Sequence, residues 1–430
     1  MRLDNTLRKV TFFIAALFFG ISLMAQTGVD SPYSRFGIGN IDSRSVNARQ
    51  QAMGGIGNAI GSNRFVNPSN PASYAKFDSL SFLFNAGFNA SNVTYRTTTQ
   101  TEKGSYAQLA YFSAGFPVTS WWKAGVGLLP YSRVGFNVVV PGTTAQNLRY
   151  NKAFEGHGGL NQLYFGNAFQ LAKNLSVGVN ATYVFGRNVT SSLLYFPDSS
   201  YIASTKVESR ILASDFKFDY GLLYTAKVNE KTSLHMGLVY GQKINLNVKR
   251  EYLIQSQFGG IDGDVSYVLD TIFYTPSEKG KLVIPPQIGF GLALEKSNSW
   301  LLGADFNWQN WEKYQIQGAN DSLINSWNTA IGGQFTPNHT SISGYWKRVT
   351  YRGGARYNQT YLKISGQPIN EFGISFGVGL PLPRSMTTID LSVEVGRRGT
   401  TANDLIRETF INFTAGVSIY ERWFVKRRYN

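Results

Sequence analysis

The chain has 430 residues, a net charge of +15, 44 Gly, 14% aromatic residues and no Cys. The absence of Cys excludes disulfides, thiol catalysis, Cys-ligated metals and a lipid anchor on Cys. Charged residues make up 16% of the chain, below the roughly 25% of ordinary soluble domains. The basic ones are scattered, so the positive charge reads as a surface facing anionic lipid or lipopolysaccharide and not as a nucleic-acid site.

Residues 1–9 form a basic n-region with Arg2, Arg8 and Lys9, and 10–25 (VTFFIAALFFGISLMA) form an apolar h-region. This is the pattern of a signal peptide, 1–25, cleaved after Ala25. Leu23, at the −3 position, is larger than the usual small residue. The next segment, 26–78, reads as a plug. Its centre is AMGGIGNAIGSNRFVNPSNPASYA (52–75), with Gly54, Gly55, Gly57 and Gly61 and the steps Asn67-Pro68 and Asn70-Pro71. Gly permits positive φ and Pro removes a donor, so the run suits neither helix nor strand. It is not the dinucleotide fingerprint: the last Gly spacing is wrong and no strand precedes it.

From residue 79 the apolar pattern switches to period 2. The clearest alternations are Leu80-Phe82-Phe84-Ala86-Phe88, Phe216-Phe218-Tyr220-Leu222-Tyr224, Phe372-Ile374-Phe376-Val378-Leu380 and Ile411-Phe413-Ala415-Val417-Ile419. Strands are predicted at 79–89, 105–116, 121–140, 161–171, 175–185, 216–224, 233–249, 288–294, 300–316, 326–336, 347–358, 372–380, 389–395 and 411–423. Most approach or exceed the ~9–11 residues a bilayer needs, and no apolar run of ~18 follows the leader. Short connections (119–120, 172–174, 229–231, 295–299, 380–384) alternate with longer polar ones (90–104, 141–160, 187–210, 250–281, 317–325, 359–370, 397–408); 337–346 is a longer one in a short slot. Short turns at one end and long loops at the other is the rule of outer-membrane barrels. A sandwich would need a second sheet to cover these apolar faces. The expected fold is therefore all-β: a transmembrane antiparallel β-barrel of about 14 strands over 79–425, an N-terminal hatch within its lumen, and a basic tail at 426–430.

The faces opposite the apolar ones carry charge. Asp215, Lys217 and Asp219 share one strand, and Asp305 lies with Asn307 on another. Arg348, Arg352 and Arg356 share a face of a third, and Asp390 and Glu394 a face of a fourth. Arg or Lys on the lipid face costs about 2–4 kcal/mol at the midplane, so these charges are placed in the lumen, with ion pairs between the Arg stripe and the acidic pair or, as the alternative, a charged lumen that binds the plug. Asp390 and Glu394, four residues apart on a strand, lie roughly 13 Å apart, beyond the ~5–9.5 Å of glycosidase carboxylates. Trp121, Trp122, Trp300, Trp308, Trp311, Trp346 and Trp423 fall near strand ends, where an aromatic girdle belongs. His157, His235 and His339 have no metal-ligand or triad spacing, no nucleophile is paired with a base, and no cofactor or enzymatic activity is expected. Pro130, flanked by Gly127 and Gly135, lies in the third strand. It marks a kink that opens the wall, or a break above the membrane.

The sequence Ala52-Met53-Gly54-Gly55, the motif Asn70-Pro71-Ala72 and about fourteen strands resemble the long-chain fatty-acid transporter family of outer-membrane barrels, the FadL/TodX type. The resemblance implies a hatch at Gly54, Gly55, Asn70, Pro71 and Ala72 that gates the barrel. It also implies a wall kink at Gly127 and Pro130 for lateral exit, and passive diffusion of hydrophobic, fatty-acid-like molecules through the outer membrane. The phrase SPYSRFGIGN and the ending ERWFVKRRYN are similar to Bacteroidota members. Two features depart from the family: Ser73 stands where Gly usually follows Asn-Pro-Ala, and five residues trail beyond Trp423, Phe424 and Val425. Some relatives are accessory barrels of secretion or assembly complexes. That alternative predicts an envelope protein partner, a lumen sealed by salt bridges, and docking on 250–281, including its apolar part 267–274.

Overall fold

The computed structural model describes residues 31–41, 47–199, 201–258, 267–316 and 323–422. The predicted leader, Trp423 and the basic tail lie outside these residues.

Fourteen antiparallel strands close into a barrel. They are β1 (Ser81–Arg96), β2 (Thr101–Pro117), β3 (Trp122–Thr143), β4 (Arg149–Ala172), β5 (Leu175–Tyr195), β6 (Ser204–Lys227), β7 (Thr232–Gly241 and Ile244–Phe258), β8 (Tyr267–Ile284 and Gln287–Lys296), β9 (Trp300–Gln309 and Gln315–Ile316), β10 (Ser326–Phe335), β11 (Thr350–Ile364), β12 (Gln367–Pro381), β13 (Thr388–Arg398) and β14 (Arg407–Arg422). β7, β8 and β9 each have one interruption. Being antiparallel, the first part of β7 pairs with the second part of β8 and the second with the first, and β8 pairs with β9 in the same crossed way. β14 returns to β1 from Arg407↔Arg96 to Arg422↔Ser81, so the sheet leaves no edge where the ring closes. Among the described residues no helix is long and apolar enough to cross a membrane.

Each predicted strand lies on one observed strand, and the faces fall as the alternation predicts. Phe216, Phe218, Tyr220 and Leu222 of β6 are exposed outward, as are Phe372, Ile374 and Phe376 of β12. Alternate positions face in, where Ser375 of β12, Asn85 of β1, Asn180 of β5 and Asn412 of β14 are buried. The predicted long loops are shorter than expected. β3 runs to Thr143 and β4 starts at Arg149; β11 and β12 meet in a two-residue turn, Ser365-Gly366, with positive φ at both positions. A strand signal in the sequence needs an apolar face. Above the bilayer both faces are wet or polar, so the backbone continues after the signal has stopped.

β3 to β8 rise highest. β6 pairs with β7 up to Ser204↔Gln257, and β7 with β8 up to Phe258↔Tyr267. Residues 267–274, predicted as loop, are therefore strand, and they are exposed on both faces, with Tyr267 at 69% and Ile272 at 60%.

Two further placements differ from expectation. Arg348 is not on a strand: it ends a short helix (Tyr345–Arg348) before β11, its guanidinium 5.5 Å from the Tyr345 ring. The chain cannot run straight into β11 there, because β10 ends at Phe335 and a long connection must turn back first. Trp311 is not in a girdle. It sits in a 3-10 turn (Trp311–Lys313) in the gap of β9, 1% exposed, and stacks on Tyr361 at 4.7 Å.

Candidate functional site

The lumen is filled by the N-terminal residues. Residues 47–78 pack against the lower half of the wall. A short helix (Ala48–Gln51), capped by Asn47 through the Gln50 amide, starts the segment. Gly54 and Gly55 turn it with φ +72° and +87°. Two constraints meet at Gly54. A Cβ there would strike the Ala355 carbonyl at 2.8 Å, and its N–H donates to Ser375 Oγ at 2.8 Å. Asn70 caps the 3-10 turn Pro71–Lys76: its Oδ1 accepts from Ala72 N–H at 3.0 Å while its Nδ2 donates to the carbonyls of Asn58 and Leu222. Pro71 and Ala72 lie against Gly178 and Gly221, and Ser176 Oγ donates to the Ala72 carbonyl. The Asn-Pro-Ala stretch thus seats backbone on backbone across β5 and β6.

Glycine is the wall's part of that seat. Gly178, Gly221, Gly237, Gly291, Gly332 and Gly354 face the segment so closely that an added Cβ would enter its backbone or side chains. The high Gly count is in part a lining that lets this segment approach at main-chain distance. Polar anchors complete it. Asp305 Oδ2 accepts from the N–H groups of Gly57 (2.6 Å) and Asn58 (2.8 Å). Arg49 donates to Gln334 Oε1 from Nη2 (2.9 Å) and Nε (3.2 Å). Burial, and then the nearby Arg352 charge, push the Arg49 guanidinium down to about 9, which still leaves it charged at neutral pH.

Behind the segment runs a ladder of buried ion pairs across β11 to β14. Arg352 Nη1 lies 2.6 Å from Asp390 Oδ1. Arg356 bridges Glu394 (2.5 Å) and Glu371. Arg398 bridges Glu371 (2.5 Å) and Glu408 (3.4 Å). The register sets this up: Glu371 faces Arg398, which faces Glu408 on the next strand. Of the expected Arg stripe, Arg352 and Arg356 are in the ladder and Arg348 is not. Glu371, Arg398 and Glu408 were not predicted, although Arg398 continues the spacing of Asp390 and Glu394 on one strand face. On the opposite wall Lys217 pairs with Asp219 at 3.0 Å, and Asp215 accepts from Asn247 Nδ2 at 2.7 Å.

The upper half is closed by residues 31–41. Ser31 N–H donates to the Gly135 carbonyl, and Ser31 Oγ to Glu408 at 2.5 Å. Tyr33 Oη donates to the Ile406 carbonyl at 2.5 Å, and burial, then Glu408, push the Tyr33 phenol up to about 12. Around these residues Ile38, Leu160, Val184, Leu246, Ile284, Trp311, Tyr361 and Ile369 form a continuous buried apolar cluster.

A discontinuity in the wall lies between β2 and β3. β2 and β3 are hydrogen-bonded only from Pro117↔Lys123 to Phe112↔Leu128, and Gly127 pairs with Ser113 in the last part of that ladder. Above it β3 bulges against β4 between Pro130 and Ser132, and its free side takes Asn40 and Ile41, paired with Arg133 and Ser132. Gly39 stands against the Arg133 carbonyl with φ +94°. Among the described residues no cluster of three metal-ligating side chains occurs.

The sequence model of the BamG family matches residues 7–430. The chain belongs to the BamG family. No curated protein matches the sequence. Solved structures with the same fold include a FadL homologue of Pseudomonas aeruginosa, with TM-score 0.58 and 14% identity over 88% of this chain and 98% of that one. The toluene transporter TodX of Pseudomonas putida gives 0.58 at 16% identity over 90% and 100%. The toluene transporter TbuX of Ralstonia pickettii gives 0.56 at 15% identity over 88% and 98%. This BamG-family chain therefore has the FadL/TodX-type outer-membrane barrel fold, and the resemblance read from its motifs holds at that level.

Proposed function

We propose that this chain is a non-conducting outer-membrane barrel that serves as an accessory subunit of an envelope complex. One observation carries this: the lumen is blocked in successive layers. Residues 47–78 sit on a glycine-lined seat below, buried ion pairs line the wall, and an apolar cluster around 31–41 closes the top. An apolar cargo moving through would have to displace anchored main chain and leave desolvated charges behind, at several kcal/mol each. Docking falls to the sheet of β6 to β8 above the barrel. The side of its outer strand away from β7 has no partner over 267–281 among the described residues, and the strand exposes Tyr267, Val268, Leu269, Ile272, Phe273 and Tyr274. An exposed apolar edge of this kind is a template for an added strand, so the partner offers an extended segment.

A second function has its own support. The end of the β2–β3 ladder at Leu128, beside Pro130, supports a lateral exit, and the fold is that of proteins described as transporters. Here hydrophobic molecules would diffuse passively once the hatch at Gly54, Gly55, Asn70, Pro71 and Ala72 moved. An apolar guest leaving sideways gains ~0.8 kcal/mol per CH₂ in lipid relative to water.

Mass spectrometry of everything released from the barrel after mild detergent purification separates the two. The expected result is a stoichiometric envelope protein, lost when Ile272→Asp and Tyr274→Asp are introduced together. A stoichiometric apolar compound with no protein partner, its uptake reduced by Asn70→Ala or Pro130→Ala, establishes transport instead.

A further inference from the structure

Between the lower plug and the upper apolar cluster lies a chamber of about 290 Å³, at the lower limit of the roughly 300–1,000 Å³ of small-molecule sites. Its lining combines carboxamides with aromatic side chains. Gln162, Asn180, Gln287, Asn307, Gln309, Asn328 and Asn358 enter it from six wall strands. The charges beside it are already neutralised. Lys217 is held by Asp219, Arg398 by Glu371 and Glu408, and Asp305 by two backbone N–H groups. Trp311 and Tyr361, stacked on each other, supply an aromatic wall.

We propose that this chamber binds a neutral saccharide unit. A carboxamide offers a donor and an acceptor side by side, and vicinal hydroxyls each offer the same pair, so an amide-rich wall matches a sugar edge. The aromatic wall suits the apolar C–H face of the ring. A fatty or aromatic hydrocarbon would strip water from these amides without replacing their hydrogen bonds, which is unfavourable. Among the described residues that line it, each charged group already has an ion pair or hydrogen bonds, which leaves little for a charged guest. Several of the amides have capacity to spare: Gln162, Gln287 and Asn358 make no side-chain hydrogen bond among the described residues. Leu129 and Tyr131 border the chamber where β3 lies between the end of the β2–β3 ladder at Leu128 and the Ile41 pairing at Ser132, so access runs through that short stretch. A sugar there comes either from solution or from the carbohydrate of lipopolysaccharide in the surrounding leaflet. The proposal does not depend on the docking function.

The test is saturation-transfer NMR on the full chain in detergent, with glucose, N-acetylglucosamine and maltose in one arm, rough lipopolysaccharide in a second, and toluene and palmitate in a third. The expected result is transfer to sugar protons in the first or second arm, which also names the source. It should fall at least tenfold in Gln162→Leu/Asn358→Leu, whose heat-shifted gel mobility stays that of the wild type. Asn358→Asp, which keeps the acceptor, retains part of the signal. Transfer only to the hydrocarbons, no transfer in any arm, or lipopolysaccharide transfer unchanged in the double variant would each overturn it. In the last case the contact is with the outer surface.

Discussion

Replacing Arg356 with Met is expected to destabilise the folded barrel by about 3–5 kcal/mol, the usual effect of stranding buried charge. Arg356 is 7% exposed and bridges two carboxylates, Glu371 and Glu394, themselves 2% exposed. Without it, each carboxylate loses a guanidinium partner, while the Asn412 amide stays on Glu394 and Arg398 on Glu371. Removing both partners of a pair together is a different experiment. Arg352→Met/Asp390→Leu takes out a pair held at 2.6 Å and leaves less charge unmatched, so it is expected to cost far less than either single change. Urea unfolding followed by gel mobility measures both. Because these pairs are out of water, the costs should barely change between low and high salt.

The second large effect is expected at Gly237, on β7. A side chain there points at the carbonyl of Asn58, with the Ala59 Cα 2.9 Å away. Gly237→Val therefore leaves the segment no room in its seat, and the usual overpacking cost of about 1–3 kcal/mol is a minimum where the obstacle is main chain. The barrel should still close, since its ladder does not pass through the segment. The expected outcome is a barrel of normal gel mobility in which a protease added from the periplasmic face cuts within 47–78. Gly353→Ala is the control. Its nearest neighbour would be Phe376 Cδ1 at 3.8 Å, ordinary contact, and the segment should stay resistant.

The barrel was legible because its physics is periodic. Phe216, Phe218, Tyr220 and Leu222 had to face lipid, and Lys217 and Asp219 between them had to face the lumen. The Gly and Asn-Pro content of 52–75 marked a segment without regular structure, but nothing in it gave the partners of each residue. Asp305 illustrates the difference. Its inward face followed from the alternation, whereas its two hydrogen bonds to Gly57 and Asn58 join residues 247 and 248 positions apart. Arg398 and Glu408 were hidden for another reason. Outward positions at their level carry Arg397 and Thr409, so the apolar alternation stops below them and the strand looks finished. Arg348 was misplaced by the same rule in reverse, since the i, i+4 spacing from Arg352 continues in the sequence after the strand has ended.

The chamber wall was legible residue by residue, as polar positions facing in, but not as a set. Only the closed register brings Gln162 of β4 and Asn358 of β11 around one space. The chamber they surround is lined by amide and aromatic side chains together.

The most direct measurement is amide hydrogen exchange of the full chain in lipid bilayers, read separately for 47–78 and for the inward-facing strands. A locked plug predicts that the amides of Gly54, Gly57, Asn58 and Ala72 exchange as slowly as those of β5 and β12, because they open only when the barrel does. Rapid exchange throughout 47–78, against protected strands, would contradict it and show a gate that opens on its own.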